Sequence, residues 1–193
     1  MKSDLTDPIN TILIGGKYEA ILECYNKEKP DIYVEIGCYR LNTSINLLKS
    51  HMPKKAYLLD LFCKAPDYEA PPEQAPLSLS EASDLILKTF GEEPDISLIK
   101  GFTGASLPYV IQQINDQNNN TFIFVDGGHS YTTVIRDLIN ISMIKNKLTV
   151  VIDDTDWNEI DAAIKDFMKI CHYRNPVIEY LKPNLCVINL SII

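Results

Sequence analysis

Two short segments hold the residues most able to do chemistry. Asp126-Gly127-Gly128-His129-Ser130-Tyr131 follows directly on the apolar run at 121–125, and Asp153-Asp154 follows directly on the apolar run at 149–152. Both runs are short, β-branched and aromatic, the pattern of buried parallel strands. Both end in carboxylates. In an open α/β sheet, ligands bind outside the carboxyl ends of the strands. Neighbouring strands would place these two tips about 4.8 Å apart. Asp126, Asp153, Asp154 and His129 would then share one small space. Carboxylates that close repel one another, so either some keep their protons or a cation sits among them. All-oxygen ligands favour a hard cation such as Mg²⁺. Each residue alone also has a structural reading. Asp154 or Asp156 would cap a helix starting near Trp157, Asp126 would brace the Gly127-Gly128 turn, and His129 would be a capping or surface histidine.

A second set of residues suits a nucleotide. Val34-Glu35-Ile36-Gly37 ends one apolar run and opens a turn. Gly37 lets backbone approach a ligand closely, and Glu35 is a carboxylate at a strand tip, where it could meet a cationic amine. Asp60 ends the next run, about 20 residues beyond the glycine turn, where an acid can accept both hydroxyls of a ribose. After Gly37 comes Cys38-Tyr39-Arg40-Leu41-Asn42-Thr43-Ser44, without a second glycine. A pyrophosphate cradle needs more glycine than that, so NAD is disfavoured.

The elements that must position these groups alternate along the chain. Strands are expected at 31–36, 56–61, 96–100, 121–125 and 148–152, with helices at 8–28, 43–50, 80–90, 107–117, 131–145 and 157–171. Ser78 or Ser80 would cap the third helix. The stretch 62–78 contains Pro66, Pro71, Pro72 and Pro76 and reads as a long loop, of the kind that forms lids. Tyr68 would line it. Two last strands, 177–181 and 185–190, flank Lys182-Pro183-Asn184, and so short a turn forces them antiparallel. Alternating βα units imply a doubly wound parallel sheet, here ending in an antiparallel hairpin.

Composition narrows the partners. A chain of 193 residues fits one domain with a full core. Its 46% hydrophobic and 23% charged residues are ordinary for a soluble globular protein. The net charge of −8 argues against nucleic acid or anionic membrane as the main partner. No apolar stretch approaches a membrane span, and the opening residues have no signal-peptide core. Cys24, Cys38, Cys63, Cys171 and Cys186 lack metal-site spacing and read as free thiols of a reducing cytoplasm. Self-association stays open.

The motifs resemble a known group. VEIGCYRLNTS is similar to the first motif of small-molecule O-methyltransferases, and YLLDLF to their second. DGGHSYTTVIRDL followed by VVIDD resembles the metal-dependent sugar O-methyltransferases of the macrocin and mycinamicin type, and also cephalosporin hydroxylase-like proteins. The resemblance covers roughly residues 31–156 and implies the Rossmann-like fold of class I S-adenosylmethionine-dependent methyltransferases. That fold is a seven-stranded, mostly parallel sheet of order 3-2-1-4-5-7-6 with an antiparallel last strand. It implies Mg²⁺ or Mn²⁺ on Asp126, Asp153 and Asp154, with His129 as general base. Glu35, Gly37, Asp60, Gly101 and Asp126 would contact S-adenosylmethionine. Phe102 stands where the group usually has an acid for the adenine amine, and would stack on the base instead. Leu41-Asn42 stands where the group has glycines. The acceptor would be a hydroxyl of a small molecule or sugar. Two other functions fit the same residues: a noncatalytic cofactor-binding scaffold, and a hydrolase or hydroxylase that uses the metal alone.

Overall fold

In the computed structural model, residues 16–63, 75–115 and 119–192 are described. Their elements run α1 (Gly16–Glu28), β1 (Ile32–Ile36), α2 (Asn42–Ser50), β2 (Lys55–Asp60), α3 (Leu79–Phe90), β3 (Ile96–Lys100), α4 (Thr103–Asn115), β4 (Thr121–Val125), α5 (Tyr131–Ile141), β5 (Leu148–Asp153), α6 (Asn158–Ile170), β6 (Val177–Lys182) and β7 (Leu185–Leu190). The seven strands form one sheet of order β3-β2-β1-β4-β5-β7-β6. All pairs are parallel except β5–β7 and β6–β7. This is the sheet expected from the sequence. Residues 8–15 of the first expected helix and residues 64–74 of the Pro-rich stretch, with Tyr68, lie outside the described residues.

The central strands are buried on both faces, and the side-chain period of two divides them between two cores. Val34, Ile36, Ile123, Val125, Val150 and Ile152 meet the apolar faces of α4, α5 and α6. Tyr33, Phe122, Phe124 and Val151 point the other way, against Ile21 and Tyr25 of α1, Ile45 and Leu48 of α2, and Ile86 of α3. Tyr25 meets Tyr33 and Phe122 edge-on, at 5.4 and 5.2 Å between ring centroids. Its hydroxyl donates to the His51 carbonyl at 2.9 Å, satisfying its one polar atom. The five cysteines are free. Among the described residues, no helix is long and apolar enough to cross a membrane.

Three helix ends differ from the sequence reading or sharpen it. α3 begins at a complete capping box: the Ser78 hydroxyl accepts from the Glu81 amide, and the Glu81 carboxylate reaches back to Ser78. α4 starts at Thr103, four residues before the expected Leu107, so Pro108 lies inside the helix. There the Gly104 carbonyl loses its usual donor. α5 stops at Ile141 rather than 145. Arg174, 1% exposed, donates to the carbonyls of Ser142, Ile144 and Asn146 and so satisfies the turn that follows the helix.

Candidate functional site

The site lies at the carboxyl ends of β1, β2, β4 and β5. Its floor is fixed by a close approach between two strand tips. Gly37 has φ 88°, and a Cβ there would lie 2.3 Å from the carbonyl oxygen of Asp126. The Asp126 amide donates to the Ile36 carbonyl at 2.8 Å, and the Gly37 amide to the Leu59 carbonyl at 2.9 Å. Only glycine satisfies both the left-handed backbone and this contact. The turn that follows holds Tyr39 and Leu41 in left-handed conformations too, at φ 48° and 65°. These are positions that glycine would occupy without strain. Leu41 offsets its strain by burying its side chain completely.

A cleft of about 540 Å³ opens over this floor. Gly37, Asp60, Gly101, Phe102 and Asp126 all line it. Asp60 accepts the Tyr39 amide on one carboxylate oxygen, at 2.8 Å, and the Phe62 amide on the other, at 2.9 Å. Each oxygen keeps a lone pair for a ligand hydroxyl. Phe102 is 75% exposed and stands at the lip. Glu35 does not line the cleft. It is buried and accepts hydroxyl hydrogen bonds from Tyr33, at 2.6 Å, and from Ser44. Burial pushes its carboxyl up to about 7, against the two hydroxyl donors. The side chain thereby ties β1 to α2 across the turn.

Asp126 and Gly127 also line a second, smaller pocket together with His129, Asp153 and Asp154. Ligand-capable atoms of Asp126, His129 and Asp154 lie within 4.8 Å of one another. His129 Nε2 is 3.0 Å from Asp154 Oδ2, and the imidazole packs on the Trp157 ring at 4.7 Å between centroids. Ser130 caps α5, and Glu159 of α6 accepts the Tyr131 amide at 2.7 Å, which pins the histidine loop to α6. Asp153 is held differently. Its Oδ2 accepts Lys17 Nζ at 2.6 Å and its Oδ1 accepts the Asp154 amide at 2.7 Å. Burial, then the charge of Asp153, pushes the Asp126 carboxyl well above the ordinary range. Its carboxylate has no hydrogen bond or ion pair with the described residues. The turn between β6 and β7 buttresses this tip, since the Thr155 amide donates to the Asn184 carbonyl at 3.1 Å.

Four residues of the site carry no signal that the sequence reading used. Lys17 reaches it from α1. Thr103, Arg136 and Asp137 form the wall of the cleft near Phe102, with the Thr103 hydroxyl donating to Asp137 at 2.8 Å and Arg136 Nε 3.6 Å away. Asp137 could have been found. It falls on the same buried face of α5 as Val134, Leu138 and Ile141, where a carboxylate interrupts an apolar stripe.

No protein-family model and no curated protein matches the sequence. Solved structures do. The O-methyltransferase NovP aligns with a TM-score of 0.63 at 13% identity, over 89% of this chain and 80% of that one. A calicheamicin methyltransferase aligns with a TM-score of 0.62 at 14% identity, over 89% and 78%. An O-methyltransferase from Bacillus cereus in complex with SAH aligns with a TM-score of 0.60 at 11% identity, over 94% and 84%. The fold of this chain is the Rossmann-like fold of these methyltransferases.

Proposed function

We propose that the chain is an S-adenosylmethionine-dependent O-methyltransferase, acting on a hydroxyl of a small molecule or sugar with the help of a divalent cation, Mg²⁺ or Mn²⁺. One observation carries this reading: Asp126 and Gly127 border both the large cleft and the acid–imidazole pocket. A methyl donor in the first would have its reactive end beside an acceptor in the second. Methyl transfer from a sulfonium is an in-line displacement, and an enzyme contributes mainly by positioning the acceptor and removing its proton.

The cofactor fits the cleft by its donor set. Asp60 takes the ribose hydroxyls on its free lone pairs, the Gly37 and Gly101 backbones admit close approach, and Phe102 offers a face to the base. The cation fits because Asp126, His129 and Asp154 converge and the Asp126 carboxyl lacks a partner among the described residues. Asp126 and Asp154 are the proposed ligands, with Asp153 joining them when Lys17 releases it. When bound, the ion would lower the pKa of the acceptor hydroxyl. His129, oriented by Asp154 and Trp157, takes the proton.

The test is a thermal shift with S-adenosylhomocysteine, paired with a methyl-transfer assay on a vicinal-diol acceptor with and without Mg²⁺. Stabilisation by the cofactor product and Mg²⁺-stimulated transfer are expected. Absence of any shift at millimolar cofactor overturns the methyltransferase reading. Transfer that EDTA leaves unchanged overturns the metal.

A further inference from the structure

Lys17 occupies a built position. It sits in the first turn of α1, one turn before Ile21 and two before Tyr25. Residues four apart share a helix face. Ile21 and Tyr25 are completely buried against the sheet, so the helix is anchored with Lys17 aimed at the strand tips. Its ammonium lies 2.6 Å from Asp153 Oδ2 and 4.0 Å from Asp154 Oδ1. The Asp153 side chain is 1% exposed and that of Lys17 26%. With one partner buried and the other partly so, the ion pair is less screened than one on the open surface. With all three acids ionised, Lys17 leaves two negative charges on Asp126, Asp153 and Asp154, the charge that one divalent cation balances.

We propose that Lys17 is a tethered cation that competes with a divalent metal ion for Asp153, and so sets how tightly the acid cluster takes the metal and through which carboxylates. The inference rests on the metal reading above. With the ammonium in place, a metal ion meets Asp126 and Asp154, beside His129. Without it, Asp153 is a buried carboxylate left with one backbone amide as partner among the described residues, and a divalent cation gains by pairing it.

The experiment titrates Mn²⁺ into the full chain and reads free Mn²⁺ by electron paramagnetic resonance, with circular dichroism confirming the fold of each variant. Lys17→Met is expected to bind Mn²⁺ at least about 10-fold more tightly than wild type, since the ion then also pairs the unmatched Asp153. Lys17→Arg, which keeps the charge, stays near wild type. Adding Asp153→Asn to Lys17→Met removes the gain and returns affinity to near wild type, whereas Asp153→Asn alone weakens binding, because the freed ammonium then faces Asp154, 4.0 Å away. If wild type binds and Lys17→Met binds equally or more weakly, the inference fails while the metal reading stands. If the double variant binds far more weakly than wild type, Asp153 is a ligand with Lys17 present and the competition is disproved, a readout that holds even where Lys17→Met alone does not fold. If no folded variant binds Mn²⁺, the metal reading fails and takes the inference with it.

Discussion

The imidazole of His129 lies 3.0 Å from the carboxylate of Asp154, and Asp154 reaches it from a left-handed backbone conformation at φ 53°. That region strains most side chains, and Asp and Asn tolerate it best. The bend at 154 turns consecutive acids in different directions: Asp153 toward Lys17 of α1, Asp154 toward the histidine loop of α5.

His129→Ala is expected to lower methyl-transfer turnover by about 10²-fold or more, the usual share of a general base. S-adenosylhomocysteine affinity should stay within about 2-fold, because His129 does not line the large cleft. Steady-state rates beside a calorimetric titration check this. Unchanged turnover would move the base elsewhere, with Asp156 beside Trp157 the next candidate.

Asp60→Ala should weaken S-adenosylhomocysteine binding by about 1–3 kcal/mol, the cost of leaving polar partners unmatched. The Tyr39 and Phe62 amides lose their acceptor in the same variant. Asp60→Asn keeps acceptor oxygen for one of them and should fall between. Isothermal calorimetry of the three proteins is the measurement, and equal affinities would remove Asp60 from the cofactor site.

Glu35 predicts a pH dependence of stability. Burial raises its carboxyl from 4.5 to about 7 in the folded protein. Above pH 4.5 the unfolded chain has released this proton while the folded protein still holds it, so unfolding free energy declines as pH rises. The contribution is complete below the unfolded value and is lost as pH passes through about 7. Its size is roughly 3 kcal/mol at most. Urea denaturation at about pH 5 and about pH 8 should show a larger drop for wild type than for Glu35→Gln. Parallel slopes would show that Glu35 does not titrate differently on folding.

Arg174 predicts a structural loss without a catalytic one. The residue is 1% exposed, and its guanidinium donates to the carbonyls of Ser142, Ile144, Asn146 and Ser191. Arg174→Met would leave these acceptors unpaired in the interior, at a cost of about 3 kcal/mol or more. The denaturation midpoint should fall while cofactor affinity of the folded fraction is retained. A midpoint unchanged within error would mean that water replaces the guanidinium.

The sheet was readable because each strand is a run of β-branched and aromatic residues bounded by turn residues, and because Lys182-Pro183-Asn184 leaves room only for a hairpin. β3 and β4 fall on the expected residues. The tip residues were readable for the same reason: a carboxylate ending a buried strand has to lie at the sheet's edge. What sequence could not supply was contact across distance. The carbonyls after α5 are satisfied by Arg174, 28–32 residues downstream. Lys17 has no local pattern that distinguishes it from a solvated lysine. Glu35 reads as a ligand contact from its strand position, yet the pleat points it to the face of Tyr33 and Ser44.

The bond between Lys17 and Asp153 joins residues 136 positions apart. A contact of such separation closes a long loop, whose entropy must be overcome before the contact contributes. The acid cluster therefore stays uncompensated until α1 has docked on strands made from the other end of the chain. A partly folded molecule can carry every proposed catalytic side chain and still lack the charge balance of the site. Metal binding at these tips would then begin before folding is finished, with an ion supplied during refolding standing in for the ammonium of a helix that has yet to arrive.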